Sequence, residues 1–222
     1  VYNTGVPGHQ KPLFEMDYPY PIEDYFFGDG YRLIAGTDEV GRGALAGPLV
    51  TAAVILDPTR PVDGIDDSKL LLAPERERLA AVIRRQALAF ALDMVDNETV
   101  DRIGIAEATR YSMARSLGKL RIRPELVLID FIELETLDIR SVSLIKGDQV
   151  SLSIGAASIM AKVFRDRWMK RAAVRYPVYE FEQNKGYGTA RHLDLLRLNG
   201  PCPLHRKTYK PLRTGLGKHG FL

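Results

Sequence analysis

The order of residue patterns along this chain predicts an α/β fold built on a mixed β-sheet flanked by helices. Three observations carry that expectation. Two apolar, β-rich runs come first, over 32–37 and 49–56. Segments with helical periodicity then alternate with two further short apolar runs, 126–130 and 141–145. Strands first and helices interleaved afterwards is the pattern of an α/β layer architecture. At 222 residues the chain can bury about 70% of its unfolded surface without crosslinks.

Residues 1–30 hold Tyr2, Phe14, Tyr18, Tyr20, Tyr25, Phe26 and Phe27 among Pro7, Pro12, Pro19 and Pro21. Neither helical nor strand period runs through them, which predicts an irregular arm whose aromatic rings lie on the body of the protein. From Tyr31 the character changes. The runs 32–37 and 49–56 read as adjacent strands, joined by a connection dense in glycine at Gly41, Gly43 and Gly47. Pro74 then opens a helix expected to reach Phe90, with Leu79, Val82, Ile83, Ala87 and Phe90 at helical spacing. Asn97 is placed to cap a second helix running to about Lys119, whose inner side carries Val100, Ile103, Ala106, Met113 and Leu117. Two short buried strands follow, 126–130 and 141–145. Ser153 is expected to cap a long helix to Tyr176, which Pro177 stops.

Composition narrows the function classes. Cys202 is the only cysteine, so an intrachain disulfide scaffold and a Cys-rich zinc site are both excluded. His9, His192, His205 and His219 show no i, i+3 or i, i+4 pair that clamps a metal from one helix face. The longest apolar runs, such as 52–56, are far short of a membrane span, and the N-terminus lacks an apolar signal-peptide core. These features predict a soluble, cytoplasmic protein with no membrane partner. The net charge of +3 hides a polarity: residues 162–222 hold 14 Lys and Arg against 4 Asp and Glu, net +10, leaving 17 against 24, net −7, for residues 1–161. An acidic body beside a basic end is the charge pattern of a cation site next to a polyanion surface, with Lys185, Arg191, Arg206 and Lys207 as candidate phosphate contacts. Solvated basic faces are the plainer reading of the same charge.

Two strands run straight into acids, Asp38 and Asp130, and in open α/β sheets ligands bind outside the carboxyl ends of strands. Glu39 follows Asp38, and Asp148 follows the 141–145 strand across a Lys146-Gly147 turn. Four acids without cysteine or clustered histidine favour Mg²⁺ or Mn²⁺ over zinc. Any one of them alone reads as well as a turn former or helix cap.

Their surroundings add a resemblance. Asp38-Glu39-Val40-Gly41-Arg42-Gly43 followed by Leu45-Ala46-Gly47-Pro48 resembles the opening motif of ribonuclease HII, the type 2 ribonuclease H family. Later family blocks resemble Asp66-Asp67-Ser68-Lys69, Leu128-Ile129-Asp130, Lys146-Gly147-Asp148, Ser153-Ile154 through Ala161-Lys162-Val163, Asn184-Lys185-Gly186-Tyr187-Gly188-Thr189 and His205-Arg206, in that order. The likeness spans about 33–213 and leaves out the arm. It implies a ribonuclease H-like catalytic domain over 31–176 and a helical, basic, substrate-binding segment over 177–222 packed upon it.

The resemblance makes Asp38, Glu39, Asp130 and Asp148 the catalytic, metal-binding acids. We assign Asp38 as the bridge between two divalent ions, Glu39 and Asp130 to one ion, and Asp148 to the other. Gly41, Arg42 and Gly43 become the loop that senses a ribose 2′-hydroxyl at an RNA-to-DNA junction, and Tyr187 the ring that stacks on the next deoxyribose. Lys69 becomes a phosphate contact, as does Arg42. Glycines allow the backbone to approach a sugar closely, and the 2′-hydroxyl, donor and acceptor at once, is what separates RNA from DNA. Two departures from the family pattern stand out: Phe131 follows Asp130 where a small residue is usual, and Ala73 precedes Pro74 where a Ser or Thr cap is expected.

The implied activity is endonucleolytic hydrolysis of the RNA strand of RNA–DNA hybrids, and cutting 5′ of ribonucleotides embedded in duplex DNA, by a monomer using two Mg²⁺ or Mn²⁺ ions. A recombinase of the same fold, a non-catalytic nucleic-acid binder and a carboxylate-pair sugar hydrolase are the rivals. The recombinase would not need a glycine loop aimed at a 2′-hydroxyl, the binder would keep the basic surface but lose metal dependence, and the sugar hydrolase leaves the net +10 segment unexplained.

Overall fold

A computed structural model describes residues 21–65, 71–134 and 137–215. In chain order its elements are α1 (Ile22–Gly28), β1 (Ile34–Val40), β2 (Leu49–Ile55), α2 (Ala73–Gln86), β3 (Ala89–Val95), α3 (Asn97–Ile103), α4 (Ile105–Gly118), β4 (Leu126–Asp130), β5 (Arg140–Leu144), α5 (Gly147–Val150), α6 (Leu152–Arg175), α7 (Phe181–Asn184) and α8 (Ala190–Asn199), with 3-10 turns at Pro177–Tyr179 and Leu212–Thr214. The sheet has five strands in the order β3-β2-β1-β4-β5. β2 is antiparallel to β1 and β3, whereas β4 runs parallel to β1 and β5. This is the mixed sheet that the sequence predicts.

Alternation along the strands divides the core between two faces. Val50, Ala52 and Val54 point toward Ala156, Ala157 and Met160 of α6, with Leu79 and Ile83 of α2 closing that layer. Ala35, Ala53, Ile55, Val127 and Ile129 point the other way, onto Met113 and Leu117 of α4. The middle of α6 is buried on nearly every side, as expected of a helix laid centrally across a sheet. Its N-terminal turn lies directly on β1, because a Cβ on Gly36 would collide with the backbone of Ser153 and Ile154. Glycine at position 36 is thus what brings α6 close enough to serve the sheet's end.

Several boundaries differ from expectation, each for a physical reason. The helix begun near Pro74 ends at Gln86, and 89–95 is the strand β3. Ala87 and Phe90 fit a helical spacing by coincidence; the true period from Ala89 is two, with Ala89, Ala91, Asp93 and Val95 buried and Phe90 and Met94 exposed. The second helix breaks at Gly104, whose φ of +81° halts helical propagation. Ile103 and Ala106 accordingly face solvent. Its cap is Asp96, which accepts a hydrogen bond from the Thr99 amide (2.7 Å), while Asn97 donates to the Pro203 carbonyl (2.9 Å). Leu72 precedes α2 with no side-chain cap, in line with the missing Ser or Thr.

The long helix is capped by Ser151, not Ser153. A second cap comes from the segment expected to be irregular: residues 22–28 form α1, and its Glu23 carboxylate accepts from the Ser151 hydroxyl (2.6 Å) and from the amides of Leu152 (3.2 Å) and Ser153 (2.8 Å). A carboxylate at a helix N-terminus satisfies otherwise orphaned amides and opposes the helix dipole. Ile22 and Phe26 pack with Ile34, Leu126, Leu128 and Ile154, so α1 belongs to the core. Among the described residues no helix is long and apolar enough to cross a membrane.

Candidate active site

The register of the sheet brings the acids together. β1 pairs with β4 only as far as Thr37 opposite Ile129, but stays paired with β2 up to Val40 opposite Val50. Asp38 and Glu39 therefore lie inside a strand that runs to Val40, not beyond one ending at Thr37, and emerge where β4 leaves the sheet. Asp130 is the last residue of β4, level with Leu144 of β5. Its Oδ1 accepts from the Gly147 amide (2.6 Å), which ties it to the turn carrying Asp148. Asp38 and Asp148 are buried, at 7% and 8% exposure.

Burial is the largest influence on both β1 acids. It holds the Asp38 carboxyl well above the usual carboxylate range, with Glu39 and Asp130 adding repulsion and a hydrogen bond from Ser158 opposing them. Glu39 is pushed up to about 7 by burial and by Asp130, against the pull of Arg42. Arg42 stands 3.6 Å from Glu39 Oε1. Glu39 Oε2 is buried and has no hydrogen-bond partner. An orphaned carboxylate oxygen among repelling acids is an unfinished arrangement that a cation completes. Among the described residues, no three His, Cys, Asp or Glu side chains close into a ready metal cage.

Phe131 leaves β4 with φ +60°, a strained conformation for an aromatic residue, and its ring is 67% exposed. Its amide donates to the Leu144 carbonyl (2.8 Å). The strand exit is bent, yet Asp130 keeps its place in the site.

The glycine loop is held by the C-terminal part of the chain. Gly41 has φ +98°, and a Cβ there would strike the Arg165 side chain. The Leu45 and Ala46 amides donate to the Gly186 carbonyl (2.8 and 3.2 Å), and the Arg206 amide donates to the Leu45 carbonyl (2.8 Å). Arg206 is fully buried; it donates to the carbonyls of Arg42 (3.0 Å) and Gly47 (3.0 and 3.3 Å), and Tyr209 adds its hydroxyl to the Arg42 carbonyl (2.8 Å). In a trans peptide the C=O and the following N–H point opposite ways. With the Arg42 carbonyl turned inward onto Arg206 and Tyr209, the Gly43 N–H is aimed away from the brace, and Gly43 is exposed with open space about its Cα.

Tyr187 is half-buried on the turn that meets this loop, its carbonyl bonded to Thr189 N (2.8 Å) and to His192 Nδ1 (2.9 Å). The Arg165 guanidinium lies 5.2 Å from the centre of its ring, and Lys162 Nζ lies 6.0 Å away. His192 and His205, unrelated by sequence spacing, meet Nε2 to Nε2 at 3.1 Å behind it.

The sequence nominations thus divide. Asp38, Glu39 and Asp130 repel one another at one sheet end, Asp148 follows the Gly147 amide that Asp130 holds, and the Gly41, Arg42 and Gly43 loop continues from β1 to meet the turn bearing Tyr187. Lys69 lies outside the described residues, as does the rest of the 66–69 block. Arg206 faces the interior and is no phosphate contact; Arg191 is engaged with Glu180 (2.6 Å), Lys185 is half-buried, and Lys207 is exposed. Sequence reasoning missed Ser158, Glu23 and the bracing role of Arg206. Ser158 lies five positions beyond Ser153 in an apolar helix, a polar residue at a buried position, which is the one signal that pointed to it.

Comparison with known proteins identifies the family. The family profile described as ribonuclease HII matches residues 35–212. The ribonuclease HII of Delftia acidovorans is 49% identical over 180 residues, covering 81% of this chain and 77% of that protein. The ribonuclease HII of Caldicellulosiruptor bescii is 42% identical over 197 residues, 89% of this chain and 96% of that protein. Among solved structures, ribonuclease H2 of Pyrococcus horikoshii superposes with a TM-score of 0.71 at 25% identity, covering 82% of this chain and 96% of that one. The match covers most of the chain, and the chain belongs to the ribonuclease HII family, whose members are ribonuclease H endonucleases acting on RNA–DNA hybrids.

Proposed function

We propose that this chain cuts on the 5′ side of ribonucleotides embedded in duplex DNA, as well as within RNA–DNA hybrids, leaving 3′-hydroxyl and 5′-phosphate ends. The observation that supports this reading is a braced glycine loop and a half-buried tyrosine on the turn that meets it, beside Asp38, Glu39 and Asp130 and the Gly147 turn that carries Asp148. Acids alone make a nuclease; the loop beside them makes one that reads sugars.

Asp38, Glu39, Asp130 and Asp148 would hold two divalent ions, Mg²⁺ or Mn²⁺. The all-oxygen donor set and the unpartnered Glu39 Oε2 fit such hard cations. When bound, these ions supply Lewis-acid charge to the attacking and leaving oxygens of the phosphodiester. The chain's own residues do the rest. Glu39 carries a proton below about pH 7 and must release it to become a ligand. The Gly43 N–H is directed outward to a 2′-hydroxyl, with no side chain to block its approach. Tyr187 offers its ring to the deoxyribose that follows, and exposed basic residues such as Lys207 hold the phosphate backbone in register.

The test is a duplex carrying one ribonucleotide, assayed beside the same duplex with the 2′-deoxy counterpart at that position. Cutting of the first, 5′ to the ribonucleotide, and none of the second is the expected result. Failure on the single ribonucleotide with retained cutting of long hybrids would overturn the junction reading, and cutting of all-DNA duplex would favour a recombinase-type activity.

A further inference from the structure

We infer that Arg165 is a positioning residue that joins the two sugar-reading elements, the 41–48 loop and the Tyr187 turn, into one rigid gauge. Arg165 projects from α6, is fully buried, and lies among the largest buried side chains of the protein. Its three hydrogen bonds run to backbone carbonyls: Nε to Pro48 (2.9 Å), Nη2 to Ala46 (3.0 Å) and Nη1 to Lys185 (2.8 Å). Two of those carbonyls belong to the end of the glycine loop and the third to the turn two residues before Tyr187. The same guanidinium lies against the Tyr187 ring, and its stem fills the space that a Cβ on Gly41 would need. One planar group thus touches both readers at four points.

Only a guanidinium does this. Its fork presents donors in fixed directions within one plane, so bonding the loop on one edge sets where the turn must lie on the other. An ammonium on the same stem carries the charge but imposes no plane. A loop that finds the 2′-hydroxyl and a ring that stacks on the next sugar must be spaced by one nucleotide step, and a spacing error of about 1 Å at such sites costs on the order of 100-fold in rate. Arg165 contacts no reacting atom; it fixes a distance.

The inference rests on the junction reading above, and the experiment separates the two. The measured quantity is the junction preference, the ratio of kcat/KM on a single-ribonucleotide duplex to kcat/KM on a long hybrid. It is compared in wild type, Arg165→Lys, Tyr187→Ala and the double variant, with melting curves as a check of folding. Tyr187→Ala should lower the preference about tenfold, the scale of one stacking contact. Arg165→Lys should lower it by a similar factor, and the double variant should fall no further than the larger single loss. Arg165→Gln, which keeps an amide donor, serves if the lysine variant does not fold. Hydrogen exchange gives a readout apart from activity: residues 41–48 and 184–188 should lose protection together in the Arg165 variant.

If the wild type shows no junction preference, the functional reading fails whatever Arg165 does. If the preference is present and survives Arg165→Lys, or if the two losses multiply independently, the coupling role is wrong. Equal loss on both substrates makes Arg165 a support of the fold alone and likewise overturns it.

Discussion

Two regions of the molecule treat buried charge in opposite ways. At the sheet end, buried Asp38 and partly buried Glu39 repel each other and Asp130, and one oxygen of Glu39 has no partner. Behind the loop, Arg165 and Arg206 are buried cations with their donors directed to backbone carbonyls. Burial pulls Arg165 down to about 10, well above any physiological pH, so it remains charged. The arginine region is complete without a ligand and acts as a frame. The acidic region keeps its repulsion and its unpartnered oxygen and, on the function proposed above, acts as a socket. Stability and function are separated in space, and each should respond to mutation with its own sign.

The largest expected effect is on turnover. Asp130→Asn should reduce cleavage by roughly 10²- to 10³-fold or more, the scale of losing one preorganised electrostatic group, while hybrid binding in a filter or anisotropy assay is largely kept. The same change relieves like-charge repulsion, so the metal-free protein should melt higher, not lower. A lower melting point would mean that Asp130 is also structural.

The frame should show the reverse. Arg206→Met leaves the Gly47 carbonyl without its donors and the Arg42 carbonyl with Tyr209 alone, at a cost of about 2 kcal/mol, or roughly 4 to 8 °C in melting temperature for a chain of this size. Activity measured well below the new melting point should fall much less than in Asp130→Asn.

Acid titration sharpens the contrast. Burial holds His205 down at about 4 and lowers His192 as well. Between the ordinary value of about 6.5 and 4, the unfolded chain binds protons that the fold refuses. His205 should therefore cost stability as pH falls through that window, approaching about 3 kcal/mol at its acid end. Glu39 works the other way: its folded value of about 7 lies above the ordinary one, so the metal-free fold gains stability as pH falls from about 7 toward 4.5. Melting curves of His205→Gln and Glu39→Gln against wild type, without metal, should show the two trends separately. The comparison breaks if both variants move the same way.

The smallest effect belongs to the surface. Lys207→Glu should flatten the slope of log affinity against log salt by about one phosphate's worth, roughly 0.9 on B-form duplex, whereas Arg206→Met should leave the slope unchanged.

The sequence disclosed the socket better than the frame. Asp38, Asp130 and Asp148 are legible because each follows an apolar run or a Lys-Gly turn, and local patterns mark strand ends. Arg165 and Arg206 are not, because a basic residue in a basic segment looks solvated; only the tertiary placement of Ala46, Gly47, Pro48 and Lys185 shows what they bond. The strand β3 was hidden because Ala87 and Phe90 satisfy two periods at once. The helix α1 was hidden because proline and aromatic residues upstream obscure a short apolar face. In both cases long-range packing overrides a weak local signal.

The bond between Glu23 and the Ser153 amide spans 130 residues of sequence. On a ribosome adding roughly 5 to 20 residues per second, α1 emerges on the order of ten seconds before its partner is made. During that interval the Glu23 carboxylate stays in water, and Ile22 and Phe26 lack Ile154 throughout and Leu126 for most of it. The earliest of the described helices is therefore among the last to dock, and its arrival caps the start of α6.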